Sequence, residues 1–285
     1  MIFYKCHGAG NDFLVADNRG GDYVLAAGDV RRLCDRHTGF GADGLMLLEN
    51  SPEYDFRMVY YNPDGSTGMM CGNGGRCIVA FAALSGIDSF TFEAADGVHE
   101  ARIISREGQR FVVRLKMKDV SELRSVGNEG WFLDTGTRHF VRFVEDVEAV
   151  DIASEGPRYR HDARFAPEGA NVNFVSPEDG ILKVRTFEKG VEAETLACGT
   201  GIVASAVAAV REGLVRKSAV QADSCTGWRY DVTVQARIAT LHVAFRTDGG
   251  SSFTDVWLEG PVEFIGKVEP DDGLADDVLR FCGKI

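Results

Sequence analysis

The chain has little of what marks several large protein classes. There is no C-x-x-C pair and no H-E-x-x-H, and the six histidines stand apart from one another. A zinc site therefore has little support. No apolar run reaches membrane-spanning length. Basic charge is not in excess: 31 Lys and Arg stand against 43 Asp and Glu, for a net charge of −12. The basic residues are scattered, with Arg31-Arg32 the densest pair. Neither a nucleic acid nor a membrane surface is an expected partner. The opening MIFYKCHGAGNDF has no basic stretch followed by a long apolar one, and it does not read as a secretory signal. The seven cysteines (Cys6, Cys34, Cys71, Cys77, Cys198, Cys225 and Cys282) are odd in number and irregularly spaced. That pattern fits reduced thiols in a cytoplasm better than a disulfide framework.

What is present is strand-rich. A chain of 285 residues suffices for one large domain or two ordinary ones. Strand-like runs fall at 3–6, 12–17, 45–48, 56–61, 89–93, 101–104 and 111–116, several of them alternating apolar with polar residues. Further runs fall at 262–265 and 278–281. Three segments read as helices: 27–36, 72–85 and 199–212. The last two end near Gly86 and Gly213, placed as helix-terminating glycines. Ile78 to Leu84 has no polar face, and Ile202 to Val210 has almost none. A helix that is apolar all round is a buried helix. Many strands around one buried helix predict a sheet curled about that helix, found twice.

The two helices begin alike. Met70-Cys71-Gly72-Asn73-Gly74 opens the first and Ala197-Cys198-Gly199-Thr200-Gly201 the second, about half a chain apart. Tyr61-Asn62-Pro63-Asp64-Gly65 leads into one and Phe187-Glu188-Lys189-Gly190 into the other. A helix N-terminus offers unpaired N–H groups and the positive end of the dipole. A cysteine there is biased toward thiolate, the reactive form. The glycines that follow let a ligand carboxylate approach the backbone. Two such thiols suit a reaction with two equivalent acid/base groups.

Other candidates are weaker. Gly39-Phe40-Gly41-Ala42-Asp43-Gly44 matches G-x-G-x-x-G, but a helix precedes it and a strand follows. A dinucleotide fingerprint needs the reverse order. It reads as a tight helix-to-strand connection. Cys77 lies inside an apolar helix and reads as core. Cys6, Cys34, Cys225 and Cys282 have no comparable context and read as structural. A redox pair of Cys71 and Cys77 is disfavoured because their spacing along a helix directs the sulfurs poorly for a disulfide.

Five motifs occur in order: His7-Gly8-Ala9-Gly10-Asn11-Asp12-Phe13; Asn62-Pro63-Asp64-Gly65-Ser66; Met70-Cys71-Gly72-Asn73-Gly74-Gly75-Arg76-Cys77; Glu188-Lys189-Gly190; and Glu194-Thr195-Leu196-Ala197-Cys198-Gly199-Thr200-Gly201. The set resembles the diaminopimelate epimerase family. The first cysteine motif separates the chain from proline racemases, which typically carry Cys-Gly-His there. The resemblance implies an α/β (α+β) fold of two pseudo-symmetric domains. Each would be a curled, barrel-like, mainly antiparallel sheet around a central buried helix, with the active site in the cleft between them. The expected halves are 1–119 plus 266–285, carrying Cys71, and 120–265, carrying Cys198.

The resemblance also implies an isomerase that interconverts LL- and meso-diaminopimelate for lysine and peptidoglycan precursors. Cys71 and Cys198 would be its catalytic thiols, tuned by His139 and Glu188. Asn11, Asn62, Gly72, Asn73, Asn171, Glu188, Lys189, Gly199 and Thr200 would contact substrate. Neither pyridoxal phosphate nor a metal would be required. The partner would be a small amino acid, and a homodimer is compatible, with aromatic residues near Trp257 contributing to it. Three positions depart from the family pattern. Gly44 stands where Gln is frequent, Thr137-Arg138-His139 where Asn-Pro-His is frequent, and Glu188-Lys189 where Glu-Arg is usual. Lysine lacks the bidentate guanidinium fork that grips a carboxylate. These departures keep two alternatives open: an epimerase or racemase for another amino acid such as histidine, and a non-catalytic amino-acid binding protein on the same scaffold.

Overall fold

The first two strands, β1 (Phe3–Gly8) and β2 (Asn11–Asp17), form a hairpin whose two turn residues, Ala9 and Gly10, have φ of 54° and 90°. That left-handed pair matches the twist of the strands it joins. Ala9 is strained there, because its Cβ crowds the carbonyl oxygen. The computed structural model describes residues 2–68, 70–215 and 227–270. The run at 278–281, Cys225 and Cys282 lie outside the described residues.

The chain then runs through α1 (Ala27–Cys34), β3 (Gly44–Glu49), β4 (Phe56–Tyr61), α2 (Gly72–Leu84), β5 (Thr91–Ala94), β6 (Gly97–Glu107) and β7 (Arg110–Lys116). It continues with β8 (Leu123–Ser125), β9 (Trp131–Asp134), β10 (Arg138–Phe143), α3 (Ile152–Arg160), β11 (Asn171–Glu178) and β12 (Ile181–Glu188). It ends with β13 (Ala193–Thr195), α4 (Gly199–Arg211), β14 (Trp228–Gln235), β15 (Thr240–Thr247) and β16 (Phe253–Val268). Two units divide the chain: Met1–Leu115 with Pro261–Ile285, and Lys116–Gly260.

In the first unit the strands run β1-β2-β3-β4-β5-β6-β7-β16, and pairing of β1 with the end of β16 closes the ring. In the second unit the order is β16-β15-β14-β12-β11-β10-β9-β8, with β13 on β12. The pairings repeat in type. β1–β2 and β9–β10 are antiparallel, and β2–β3 and β10–β11 are parallel. β3–β4 and β11–β12 are antiparallel, and β4–β5 and β12–β14 are parallel. β5–β6–β7 and β14–β15–β16 are antiparallel meanders. The fold is mixed α/β, as the sequence led us to expect.

α2 and α4 fill these curled sheets. α2 touches β1, β2, β3 and β6, and α4 touches β9 to β12, β14 and β15. Residues 72–82 of α2 are all buried, as are Ile202 to Ala209 of α4. Both helices end in the same way. Gly86 has φ 87°, with Gly86 N–H donating to the Ala83 carbonyl and Ile87 N–H to that of Ala82. Gly213 has φ 75°, with Gly213 N–H donating to the Val210 carbonyl and Leu214 N–H to that of Ala209. Each glycine supplies the left-handed residue of this C-terminal motif.

Two local readings change, at α1 and at α3. α1 stops at Cys34 rather than residue 36, because Asp35 is extended (ψ 131°) and its carboxylate accepts from His37 and Thr38 N–H. The Gly39 to Gly44 stretch is the helix-to-strand connection, with Gly41 at φ 67°. α3 was not foreseen: Gly156 and Pro157 sit inside it, and both argue against a helix. Yet a Cβ at residue 156 would lie 2.5 Å from the Phe187 ring, so glycine is what lets α3 rest on β12. Trp257 is 8% exposed, with its Nε1 donating to Asp255 and the Lys116 ammonium over its ring. Its ring is largely spent within the chain. No helix among the described residues is long and apolar enough to cross a membrane.

Candidate active site

Cys71 is the N-cap of α2, with extended backbone (φ −110°, ψ 153°), and its sulfur accepts from Gly74 N–H at 3.2 Å. This is the capping role that a Ser or Asp oxygen usually plays, and it places sulfur over the positive end of the helix. The β1–β2 hairpin lies against this helix start. A Cβ on Gly8 would meet the Asn73 carbonyl at 3.0 Å, so glycine permits the approach. The hairpin thereby delivers Asn11. Its Oδ1 accepts from Asn73 Nδ2 at 3.4 Å and lies 4.0 Å from Cys71 Sγ. Its Nδ2 donates to Asp43 at 2.7 Å, which fixes the amide's orientation.

Asp43 also takes Arg36, and Arg36 bridges to Asp12, which Lys5 holds from its other side. Burial would raise the Asp12 carboxyl, but Arg36 and Lys5 outweigh it and hold it at about 2. Asn62 directly follows β4, and its Nδ2 donates to Ser66 Oγ in the turn that leads toward Cys71.

One residue of this half escaped the sequence reading. Arg76 is fully buried one turn into α2. Its guanidinium donates to the Gly72 carbonyl at 3.0 Å and to Asn73 Oδ1 at 2.8 Å. Burial pushes this cation down, and the Cys77 and Cys71 sulfurs act in the opposite direction. By reciprocity a charged Arg76 favours thiolate at Cys71. Cys77 itself is fully buried, and burial drives its thiol well up, as suits a core residue. Cys34 is driven up to about 12 by burial and is likewise inert.

Cys198 is the N-cap of α4 with nearly the same backbone (φ −106°, ψ 109°), but without a side-chain capping bond. It is 7% exposed, and its sulfur lies 3.4 Å from Thr200 Oγ1. Thr200 sits against His139 Nε2 at 2.9 Å and Thr137 Oγ1 at 3.1 Å. His139 is fully buried on β10, and burial drives its pKa down to about 3 against a weaker upward pull from Asp134. The ring is neutral at physiological pH, and it reaches the thiol through Thr200.

Asn171 binds the neighbouring turn: its Oδ1 accepts from Lys189 N–H at 2.8 Å, and its Nδ2 donates to the Arg138 carbonyl at 3.0 Å. Glu188 ends β12 half-buried, and Lys189 is exposed beside it. Glu194 is committed elsewhere, to Arg185 through two bonds of 2.7 Å. Sequence alone singled out Asn171 but passed over Asn173, which bonds the other ring nitrogen of His139 at 3.0 Å. Both point the same way from β11, as i and i+2 must. Among the described residues no group of three or more His, Cys, Asp or Glu is placed to hold a metal.

Each half therefore presents one thiol at a helix N-terminus, with amide or hydroxyl groups two residues further on. Such a site can bind a carboxylate on backbone N–H groups and exchange a proton beside it. Comparison with known proteins agrees. The family model described as diaminopimelate epimerase matches residues 3–121 and 131–247. A diaminopimelate epimerase from Chlorobaculum tepidum is 43% identical over 90% of this chain and 96% of its own. One from Flavobacterium psychrophilum is 40% identical over 93% and 98%.

Solved structures share the fold. A phenazine biosynthesis protein of the PhzF family from Bacillus anthracis has a TM-score of 0.71 at 12% identity, covering 95% of this chain and 98% of its own. A hydroxyproline epimerase from Agrobacterium vitis has a TM-score of 0.62 at 18% identity, covering 98% and 96%. The motifs, the repeated fold and these relatives lead to one assignment: the chain belongs to the diaminopimelate epimerase family of cofactor-independent amino-acid epimerases.

Proposed function

We propose that the chain inverts the α-carbon of diaminopimelate, interconverting the LL and meso forms by a two-base mechanism with Cys71 and Cys198. The observation that carries this reading is the matched pair of cysteine N-caps at the starts of two buried helices. The substrate is suggested by the relatives, which are diaminopimelate epimerases. One thiolate removes the α-proton, and the other residue, as thiol, delivers a proton to the opposite face. In the reverse direction the roles exchange, which is why both groups have the same chemistry. The halves 1–119 plus 266–285 and 120–265 each supply one thiol.

The costly step is charge developing at the α-carbon. Backbone N–H groups of Gly72, Asn73, Gly199 and Thr200, at the positive ends of α2 and α4, are the donors that would hold the α-carboxylate and spread that charge. Asn11, Asn62, Asn171, Glu188 and Lys189 would grip the remaining amino and carboxyl groups. Lys189 replaces a planar fork with a point charge, so it recognises the distal carboxylate less strictly. His139, a neutral ring, acts on Cys198 through the Thr200 hydroxyl, and Glu188 is assigned the other tuning role. The reading places the reaction in the cytoplasm, in lysine and peptidoglycan precursor synthesis. It is compatible with a homodimer, which sedimentation over a range of concentrations would show.

The test is turnover of LL- and meso-diaminopimelate beside a panel of L-amino acids, including histidine, followed by solvent-proton exchange at the α-carbon. Rapid interconversion of the two diaminopimelates is expected. Preference for another amino acid would transfer the mechanism to that substrate, and absence of exchange with every one would overturn it.

A further inference from the structure

We propose that Asn173 is a positioning residue: it fixes the tautomer of His139, so that a file of hydrogen-bond donors points toward the Cys198 sulfur. The proposal rests on the reading of Cys198 as an acid/base group. The file starts at Thr186, on β12 directly opposite Asn173 on β11. Thr186 Oγ1 donates to Asn173 Oδ1 at 2.9 Å. The amide nitrogen then faces the Phe140 carbonyl at 3.4 Å and His139 Nδ1 at 3.0 Å. A carbonyl only accepts, so the nitrogen belongs on that side. An amide N–H only donates, so Nδ1 must be the accepting nitrogen. The ring proton therefore sits on Nε2.

Nε2 lies 2.9 Å from both Thr137 Oγ1 and Thr200 Oγ1. Asn171 Nδ2 adds another donor to Thr137 Oγ1, at 3.3 Å. With its lone pairs taken, Thr137 turns its own proton to Thr200, 3.1 Å away. Thr200 in turn has its hydroxyl proton left for Cys198 Sγ at 3.4 Å. Every donor runs in one direction, from Thr186 to sulfur. A thiolate at the end of this file is stabilised by a hydrogen bond.

The packing is built around the Asn173–His139 pair. Both side chains are fully buried and Thr186 is 3% exposed, so water does not compete. A Cβ at residue 201 would lie 2.3 Å from Asn173 Oδ1 and 3.3 Å from His139 Cε1, so Gly201 makes room for them under the first turn of α4. The charged group that bears on the ring is Asp134 on β9, which favours protonation. Burial outweighs it and keeps the ring neutral.

The test is nitrogen-15 NMR of the histidine side chains, with His139 assigned from the spectrum that His139→Gln lacks. The wild-type ring should show the neutral Nε2–H pattern, unchanged from pH 5 to pH 9. In Asn173→Asp the carboxylate can only accept, so the neutral form should carry its proton on Nδ1, and a titration should enter that pH range. At pH 8 its kcat should fall about ten-fold with KM little changed. Thr186→Val unlocks the amide without adding charge and should give a mixture of tautomers. A cationic or Nδ1–H ring in the wild type overturns the proposal, and so does Asn173→Asp with tautomer and kcat unchanged. The spectra are read without turnover. A failure of the epimerase reading would appear as missing activity with the tautomer intact.

Discussion

The starts of α2 and α4 share a backbone and differ in what surrounds the sulfur. Both are cysteine N-caps in extended conformation, followed by glycine and then a polar residue. At Cys71 the partners are a backbone N–H and a fully buried cation, Arg76. At Cys198 they are a hydroxyl and a buried neutral imidazole. The polar residue two positions on makes the same kind of link in each half: Asn73 reaches Asn11 at the start of β2, and Thr200 reaches His139 near the start of β10. Topology was kept in the two halves while electrostatics diverged. One thiol is served by charge and the other by an oriented dipole chain. Equivalent chemistry in the two directions does not require equivalent surroundings.

The largest expected effect removes either sulfur. Cys71→Ala and Cys198→Ala should each lower the epimerisation kcat by roughly a thousand-fold or more, since a lost general acid or base is not replaced by its counterpart. Loss in only one of them would break the symmetry of roles. Next comes Arg76→Met, which takes the cation from one half alone. Peptide-resolved iodoacetamide labelling at pH 7 should slow at Cys71 by about a hundred-fold, the size of effect a neighbouring opposite charge has on ionisation. Cys198 labelling should stay the same. Equal slowing at both would show that Arg76 acts through global stability.

His139→Gln is the counterpart in the other half and should be milder, about ten-fold in kcat, because a neutral hydrogen bond is lost rather than a charge. It has a second signature. His139 is held at about 3 in the fold against an ordinary 6.5. Between those values the unfolded chain binds a proton that the native state refuses, so stability falls as pH drops through that window. In His139→Gln that part of the slope should vanish from urea titrations run at pH 7, 5 and 4. An unchanged slope would mean the ring is not buried neutral.

The smallest comparison is Gly74→Ala against Gly201→Ala, each three residues after its cysteine. At Gly74 the new Cβ meets the Cys71 and Met46 sulfurs at 3.3 and 3.4 Å, and at Gly201 it meets Asn173 Oδ1 at 2.3 Å. The first should be nearly neutral, with the better helix propensity of alanine offsetting a tight contact. The second should cost about 1–3 kcal/mol as overpacking. Thermal melts of the two variants check the order.

Much of this was legible from residue types. Alternation marked the strands of the first half, and helices apolar on every face marked the two centres of the fold. Gly86 and Gly213 marked their ends. α3 was hidden because Gly156 and Pro157 oppose a helix locally, and only contact with Phe187 explains the glycine. The repeat carried a signal for it: α1 lies between the parallel strands β2 and β3, and α3 occupies the same place between β10 and β11. Arg76 stood in the sequence only as a member of the first cysteine motif, and burial alone reveals it as a trapped charge. Asn173 could have been found from Asn171, because strand periodicity puts both on one face.

Initial-rate turnover of LL-diaminopimelate in deuterium oxide tests the two-thiol account most directly. Two distinct bases predict product carrying solvent deuterium at the inverted carbon while the unreacted substrate stays unlabelled, because the abstracted proton remains on one sulfur and the delivered one comes from the other. Product that retains the substrate's own hydrogen, or label entering recovered substrate as fast as product, would contradict it.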